Sequence, residues 1–203
     1  DKLSKRGELM CESFVKFDKE IAIQVVRNEK GEIRTYPVVE TIQKDHICNL
    51  VIASKNLFGN IQDEVDLIAK KIVTEINYIG VMGIEMFLIN DKIIVNELAP
   101  RVHNSGHYTI EGSYTSQFEN HVRAILNLPL GNCEMNCENA VMINILGKRD
   151  GKAELINADK VLENENTYLH IYGKKKTVVG RKMGHITILS NNLELNLSDL
   201  IEK

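Results

Sequence analysis

The sequence predicts an α+β protein in two parts, a mixed first part over residues 1–130 and a small, mostly β part over residues 131–203. Two hairpin patterns and helical spacing between them predict an antiparallel sheet with packed helices in the first part. Short apolar pieces without helical spacing predict strands in the second part. A chain of 203 residues is long enough to bury one good core or two small ones.

The first hairpin pattern precedes the first helical pattern. Residues 20–27, EIAIQVVR, are rich in β-branched side chains, and residues 33–41, IRTYPVVET, return after a turn at Gly31. Residues 61–76 instead place apolar side chains at helical spacing. This spacing predicts a helix with Asn60 as its N-cap.

The second hairpin pattern covers residues 83–100, GIEMFLINDKIIVNELAP, with a turn around Asp91. Ser116 and Glu119 form a capping box that opens a second helix. In the second part, AVMINILG at 140–147 predicts a strand, and the short pieces AELI, TYLHIYG and HITIL follow it. The second helix carries four apolar residues, Phe118, Val122, Ile125 and Leu126.

Composition and charge argue against several classes of function. The net charge of −3 provides no general attraction to nucleic acid or to an anionic membrane. No apolar run reaches the roughly 18–20 residues that a membrane helix needs. The N-terminus lacks an initiator Met and the apolar core of a signal peptide, so we expect a cytoplasmic chain that begins within a longer protein. The four scattered cysteines do not complete a zinc set and are expected to be ordinary thiols.

The hairpin around Asp91 places two carboxylates on one face of the sheet. With residue 91 at the centre of the turn, Glu85 lies opposite Glu97. Like charges at opposed positions are destabilising, so the pair needs a cation, and Mg²⁺ prefers oxygen ligands. Asn96 points to the other face in an ideal strand, but a bulge would bring its amide to the same ion or phosphate. A solvated pair of carboxylates at a sheet edge is the alternative, and it stays open at this point.

The segment CESFVKFDKE has features of a nucleotide-binding hinge. If residues 12–15 (Glu12, Ser13, Phe14 and Val15) are extended, their backbone groups can contact the edge of an adenine base. Glu20 begins a strand and can accept hydrogen bonds from ribose hydroxyls. The alternative is that Phe14 and Val15 belong to the core and that the acids are ordinary surface residues.

Together these motifs resemble ATP-grasp ligases, and most closely the 5-(carboxyamino)imidazole ribonucleotide synthase family. The resemblance implies the second lobe of an ATP-grasp fold followed by a small, mostly β C-terminal domain. It covers nearly the whole chain. The segments that carry it are E-x-F-V-x-F-x-x-E at 12–20, GIEMF at 83–87, VNELAPR at 95–101, HNSGHYTIEG at 103–112, MINILG at 142–147 and YGKKKTVVGRKMGH at 172–185.

The resemblance implies that ATP and Mg²⁺ are used to carboxylate aminoimidazole ribonucleotide with bicarbonate, through carboxyphosphate, in purine biosynthesis. It also implies a homodimer. Residues 12–15 would hold adenine, Glu20 the ribose, and Gln43 would lie near the nucleotide. The other implied roles are Mg²⁺ ligation by Glu85 and Glu97, phosphate contact by Asn96, contact with bicarbonate and carboxyphosphate by Arg101, His103 and Asn104, and binding of the ribonucleotide phosphate by Lys174, Arg181 and Lys182.

His103 is expected to act as an acid or base near neutral pH, whereas His107 and His185 are expected to be structural. The family usually has Arg-Pro where Val178 and Val179 stand, and His where Gln43 stands, which affects the expected phosphate and nucleotide contacts.

Family members carry further domains upstream of the hinge, so we expect this chain to be a C-terminal portion that is inactive alone. Two alternatives stay open. One is another ATP-grasp acyl-phosphate ligase, of the formate-dependent glycinamide ribonucleotide transformylase type. The other is a non-catalytic nucleotide-binding or dimerisation module.

Overall fold

The computed structural model describes residues 7–156 and 158–191, so residues 1–6 and 192–203, the ends of the two predicted parts, lie outside the description. Eleven strands are present in these ranges, and nine of them form one sheet. The strands are β1 (Lys19–Arg27), β2 (Ile33–Thr35), β3 (Val39–Lys44), β4 (Ile47–Ser54), β5 (Gly80–Ile89), β6 (Lys92–Ala99), β7 (Asn139–Leu146), β8 (Gly151–Lys152), β9 (Thr167–Ile171), β10 (Lys176–Thr177) and β11 (Lys182–Ser190).

The main sheet runs in the order β6-β5-β1-β3-β4-β7-β11-β9, with β2 also paired to β1, and all its pairings are antiparallel. Strands from both predicted parts therefore belong to one sheet, because β4 pairs with β7. The division at residues 130 and 131 stays a prediction. The pieces TYLHIYG and HITIL contribute to β9 and β11, whereas AELI has no regular structure.

Helices cover both faces of the sheet around β1. Side chains on a strand alternate between faces, and successive residues of β1 enter different cores. Ile21, Ile23 and Val25 pack with α1, whereas Val26 packs with α3 on the opposite side. The helices are α1 (Gln62–Glu75), α2 (Thr109–Gly112), α3 (Gln117–Ile125) and α4 (Ala158–Leu162), with a 3-10 helix at Asn104–Gly106. None of the helices in the described ranges has the length and apolar character needed to cross a membrane.

The β5–β6 hairpin has the predicted pairing of carboxylates but reaches it by a different route. Its turn is the two-residue pair Asn90-Asp91, both with positive φ, and Ile89 pairs with Lys92. The pairing then shifts by one residue: Met86 faces Val95, but Glu85 faces Glu97. Asn96 is therefore the extra residue of a β-bulge. The predicted pairing is confirmed because the bulge compensates for the position of the turn.

The two helix starts differ from each other. Ser116 caps α3 as predicted, since its side chain accepts a hydrogen bond from the backbone N–H of Glu119. The predicted N-cap at Asn60 is wrong, because Ile61 precedes α1 and no side chain caps it. The N–H groups of Ile61 and Gln62 instead donate to the carbonyl of Phe58, at 3.0 and 2.9 Å. The turn before α1 thus satisfies two N–H groups at the start of the helix without a capping side chain.

The apolar side of α3 faces outward. The buried residues of this helix are Gln117, Asn120 and Ala124. The side-chain amides of Gln117 and Asn120 form hydrogen bonds with loop backbone and with other buried groups. We call the exposed side the α3 surface, and its members are Phe118, Val122, Ile125 and Leu126, which are 37%, 50%, 55% and 62% exposed.

One buried tyrosine joins α3 to the strand side of the fold. The hydroxyl of Tyr36 donates to the carbonyl of Thr115 at 3.0 Å and accepts from Nδ2 of Asn120 at 2.8 Å. Replacing Tyr36 with Phe leaves this carbonyl without its buried donor. We expect Tyr36→Phe to lower the free energy of unfolding by about 1–3 kcal/mol, measured by urea denaturation. Tyr114→Phe is the matched control, since Tyr114 is 65% exposed; an equal loss in both variants would contradict the assignment.

Candidate active site

A group of carboxylates lies on one face of β1, β5 and β6. Glu85 is opposite Glu97. Glu20 on β1 is on the same face, since Ala22, two residues further along β1, pairs with Glu85. Burial raises the pKa of the Glu85 carboxyl, and the negative charges of Glu97 and Glu20 raise it further. Lys182 and Arg101 oppose this increase. The site therefore holds an excess of negative charge that a cation would relieve.

These carboxylates fit a magnesium ion. Mg²⁺ is commonly held by one or two carboxylates and completes its coordination with water and substrate phosphates. Across the ranges 7–156 and 158–191, no three His, Cys, Asp or Glu side chains converge on a common metal position. The chain thus offers the two-carboxylate arrangement of Glu85 and Glu97, with the bulged Asn96 between Glu97 and Val95. This is the type of set that needs a phosphate ligand to be complete.

His103 follows β6 and lies over this carboxylate pair. Its Nε2 is 3.4 Å from Oε1 of Glu85. The side chain of Gln117 fixes the backbone, because its Oε1 accepts from the N–H of His103 at 2.9 Å and its Nε2 donates to the carbonyl at 2.7 Å. Gly83 on β5 permits the close approach, since a Cβ there would stand 2.5 Å from the Cβ of His103.

The protonation state of His103 differs from the expectation. Burial lowers the pKa of His103 to about 4, and the charges of Arg101 and Lys182 add to the lowering. The imidazole is therefore neutral at neutral pH. This does not support the near-neutral acid–base role expected from the sequence. A neutral imidazole beside a carboxylate is better suited to hydrogen bonding than to proton transfer.

Asn104, predicted for bicarbonate and carboxyphosphate, and Lys182, predicted for the ribonucleotide phosphate, are in contact. Nζ of Lys182 donates to Oδ1 of Asn104 at 2.9 Å. Asn104 also exchanges two amide hydrogen bonds with Asn144, at 2.9 and 2.7 Å, and Asn144 donates to the carbonyl of Cys48. Burial lowers the pKa of Lys182, partly opposed by Cys48 and Glu85. The start of β11 is thereby tied to the segment after β6.

The other predicted cations occupy different positions. Arg101 is exposed and its Nη1 donates to the carbonyl of Val102 at 3.1 Å, while its charge acts on Glu85 and His103. Nζ of Lys174 donates to the carbonyl of Lys182 and lies 5.5 Å from the centre of the Tyr172 ring. Arg181 is exposed, and its Nη1 donates to the carbonyl of Lys176 at 3.1 Å. Lys182 is thus the predicted phosphate-binding cation that lies deepest in the site.

The predicted hinge is an irregular segment on the surface. Glu12, Ser13 and Phe14 are exposed and Val15 is half-buried, so the alternative that Phe14 belongs to the core is wrong. Phe14 is 92% exposed. The segment is anchored to β5 just beyond the hinge, where the ring of Phe17 stacks on that of Phe87 with centroids 4.5 Å apart.

The two remaining predicted nucleotide contacts lie on the strands beside the hinge. Glu20 is half-buried on β1, and burial raises its pKa. Gln43 is half-buried on β3, two residues beyond Thr41, the residue that pairs with Glu20. Both are therefore near the same end of the sheet as the hinge.

Sequence reasoning missed four polar residues that hold the site together. A polar side chain inside an otherwise apolar strand was the available signal for two of them, because such a group needs a buried hydrogen-bond partner. The other two lie at a helix start and in a loop segment, where polar residues are common and give no such signal. These residues are Gln24 in EIAIQVVR, Asn144 in MINILG, Gln117 and Ser105.

Comparison with known proteins identifies the family of the chain. The sequence model of the ATP-grasp domain matches residues 1–118, and that of the phosphoribosylaminoimidazole carboxylase C-terminal domain matches residues 140–198. A relative from Synechococcus elongatus, named N5-carboxyaminoimidazole ribonucleotide synthase, is 43% identical over 183 residues, which are 89% of this chain and 46% of that protein.

Two solved structures have the same fold. The N5-carboxyaminoimidazole ribonucleotide synthetase from Thermotoga maritima superposes with a TM-score of 0.84 at 47% identity, covering 94% of this chain and 52% of that one. The Aspergillus clavatus N5-carboxyaminoimidazole synthase, solved with ADP and 5-aminoimidazole ribonucleotide, gives a TM-score of 0.84 at 39% identity, covering 94% and 53%. The chain thus spans about half the length of these relatives. It belongs to the ATP-grasp family, in which it is similar to the N5-carboxyaminoimidazole ribonucleotide synthases.

Proposed function

We propose that the full-length protein that carries this chain is an ATP-dependent ligase that carboxylates 5-aminoimidazole ribonucleotide with bicarbonate. The products are the 5-(carboxyamino) compound, ADP and phosphate. The observation that carries the proposal is the contact between Lys182 and Asn104, because it brings a cation from β11 to the segment after β6, where its charge acts on Glu85. A phosphate-bearing acceptor and a nucleotide would then meet in one site. A relative solved with ADP and this ribonucleotide supports the same pairing of ligands.

The reaction proceeds in two transfers. An oxygen of bicarbonate attacks the γ-phosphorus of ATP, and ADP leaves with the electron pair of the broken P–O bond. The exocyclic amine of the ribonucleotide then takes the carboxyl group from carboxyphosphate, and phosphate leaves as the amine loses a proton. Phosphoryl transfer of this kind depends mainly on positioning and on neutralising charge.

The chain's residues would supply that positioning. Glu85 and Glu97, with Asn96 beside them, would hold Mg²⁺, which supplies positive charge to the phosphates when bound. Arg101 can pair with a planar carboxylate or a phosphate through its forked donors. Asn104 would orient bicarbonate and carboxyphosphate. Lys182 would contact the ribonucleotide phosphate, with Lys174 and Arg181 nearby and one cation fewer than usual because Val178 replaces Arg.

The nucleotide would lie along the surface segment before β1. Residues 12–15 would contact adenine through their backbone, Glu20 would accept from the ribose, and Gln43 would face the same ligand. These residues are exposed or half-buried, so a ligand can reach them. Exposed apolar residues surround this region, and we propose that the missing N-terminal part of the same enzyme covers them. They are Leu9, Met10, Phe14, Ile94, Val95 and Leu98.

The proposal predicts that ADP formation by the full-length protein requires both bicarbonate and 5-aminoimidazole ribonucleotide. Glu97→Gln should reduce kcat on the order of 100-fold, because it weakens the charge neutralisation on which the transfer depends. A coupled assay of ADP release measures both effects, with Glu75→Gln, an exposed change on α1, as the matched control. ADP release that needs formate instead of bicarbonate would favour the transformylase alternative. Nucleotide binding without any turnover would favour a non-catalytic module.

A second copy of the protein is the other expected partner, and the α3 surface is the candidate contact in this homodimer. The charges on this helix are already balanced, since Nε of Arg123 donates to Oε1 of Glu119 at 2.9 Å. If two copies pair antiparallel across a two-fold axis, Glu119 of one copy lies near Arg123 of the other. The surface would then meet its own copy with apolar side chains at its centre and opposite charges beside them.

This assignment predicts that a charge in the α3 surface prevents association. Val122→Asp should convert the protein from dimer to monomer in sedimentation equilibrium, because the carboxylate would be desolvated in the contact. Leu67→Asp on α1 is the matched control, since Leu67 is 69% exposed outside this surface. A Val122→Asp dimer as tight as the unmodified one would show that the contact lies elsewhere.

A further inference from the structure

A series of hydrogen bonds runs from the central strand β1 to the imidazole of His103. Nε2 of Gln24 donates to Oγ of Ser105 at 2.7 Å. Oγ of Ser105 is in turn 2.8 Å from Nδ1 of His103. Gln24 and Ser105 are 0% and 1% exposed, so water does not compete for these contacts. The imidazole is therefore held by groups from two separate elements of the fold.

The direction of these hydrogen bonds decides which ring nitrogen carries the proton. The backbone N–H of Ser105 points to Nδ1 of His103 at 3.4 Å, and an amide N–H can only donate. Nδ1 is therefore the unprotonated nitrogen. The Ser105 hydroxyl donates to the same atom, and its oxygen accepts from Gln24. The proton of the neutral ring is then on Nε2, which is 3.4 Å from Glu85.

The opposite arrangement is unfavourable for a specific reason. If the Gln24 amide were reversed, its oxygen would accept the Ser105 hydroxyl, and Nδ1 of His103 would need a proton to donate to Ser105. That proton would face the backbone N–H of Ser105, and two donors would oppose each other. The observed arrangement leaves Oε1 of Gln24 buried without a partner among the described residues. This cost indicates a constraint at the other end of the series.

We propose that Gln24 and Ser105 are positioning residues that hold His103 as the Nε2–H tautomer, directing a neutral hydrogen-bond donor into the site beside Glu85. The tautomer follows from the geometry, and its use rests on the proposed function. In that function Nε2–H donates to an anionic oxygen of bicarbonate, carboxyphosphate or phosphate. Nδ1 takes no part in proton exchange with substrate, because Ser105 occupies it. His103 thus stabilises charge and leaves proton transfer to other groups.

The tautomer is measurable without any activity. Nitrogen-15 spectra of histidine-labelled full-length protein near neutral pH separate a protonated ring nitrogen from an unprotonated one, and a His103→Gln sample identifies the resonances. We expect Nδ1 of His103 to be unprotonated in the unmodified protein. In Ser105→Ala the Nδ1–H tautomer should become populated, because the hydroxyl donor is gone. Ser113→Ala is the matched control, since Ser113 is buried at 4% exposure and its hydroxyl has no hydrogen-bond partner in the part of the chain that the structure describes.

Kinetics test how the tautomer is used. Ser105→Ala should lower kcat for ADP formation by about 10–100-fold, the range typical when a group that orients a site residue is removed, with little change in KM for ATP. Gln24→Met keeps Ser105 but frees its hydroxyl, and should move both readouts in the same direction by less. An unchanged tautomer in both variants, or a protonated Nδ1 in the unmodified protein, would overturn the proposal. If the unmodified protein shows no turnover, the proposed function fails, and the spectra still decide the tautomer.

Discussion

The pairing of β5 with β6 is the constraint on which the site depends. It puts Glu85 directly opposite Glu97, and two like charges at paired positions destabilise a sheet unless something offsets them. Burial makes the problem greater, as the raised pKa of Glu85 shows. The positive charges of Lys182 and Arg101 offset part of this repulsion. A hairpin that was only structural would gain from replacing either carboxylate, so the repulsion supports the proposed cation site.

The segment that covers the carboxylates is held by side-chain amides rather than by regular secondary structure. Residues 100–116 contain only short helical turns, yet much of this segment is buried against the sheet. Buried backbone groups need partners, and Gln117 supplies them to both the N–H and the carbonyl of His103. Gln24 holds Ser105, and Asn144 holds Asn104 through a reciprocal pair of hydrogen bonds. A network of this kind is rigid when every member is satisfied, which suits a site that must position reactants.

The contacts of these side-chain amides could not be predicted from the sequence, whereas the strand pattern could. Alternation was sufficient to put Glu85 and Glu97 on one face, because strand periodicity is local. Their direct opposition also depends on the bulge at Asn96, which the assumed turn symmetry did not contain. The outward orientation of α3 was not predictable from its apolar spacing, since that spacing is the same for a buried face and a contact surface. The inward position of Gln117 and Asn120 depends on loop carbonyls and on Tyr36, which are distant in the chain. The contact of Lys182 with Asn104 joins residues 78 positions apart, and no local pattern encodes it.

The position of the site at the sheet edge also bears on the proposed enzyme, because the site needs a further element to cover it. Among the described strands β6 is at the end of the sheet, and most of its residues are exposed, including Ile94, Val95 and Leu98. An exposed apolar edge strand is prone to unwanted association unless another element covers it. Carboxyphosphate also needs a site from which water is excluded. In the proposed enzyme a covering N-terminal part meets both requirements at once, since the surface that protects the edge also closes the site over Glu97. In this proposal the chain's own residues set the charge of the site and the orientation of the reactants, and the covering part excludes water.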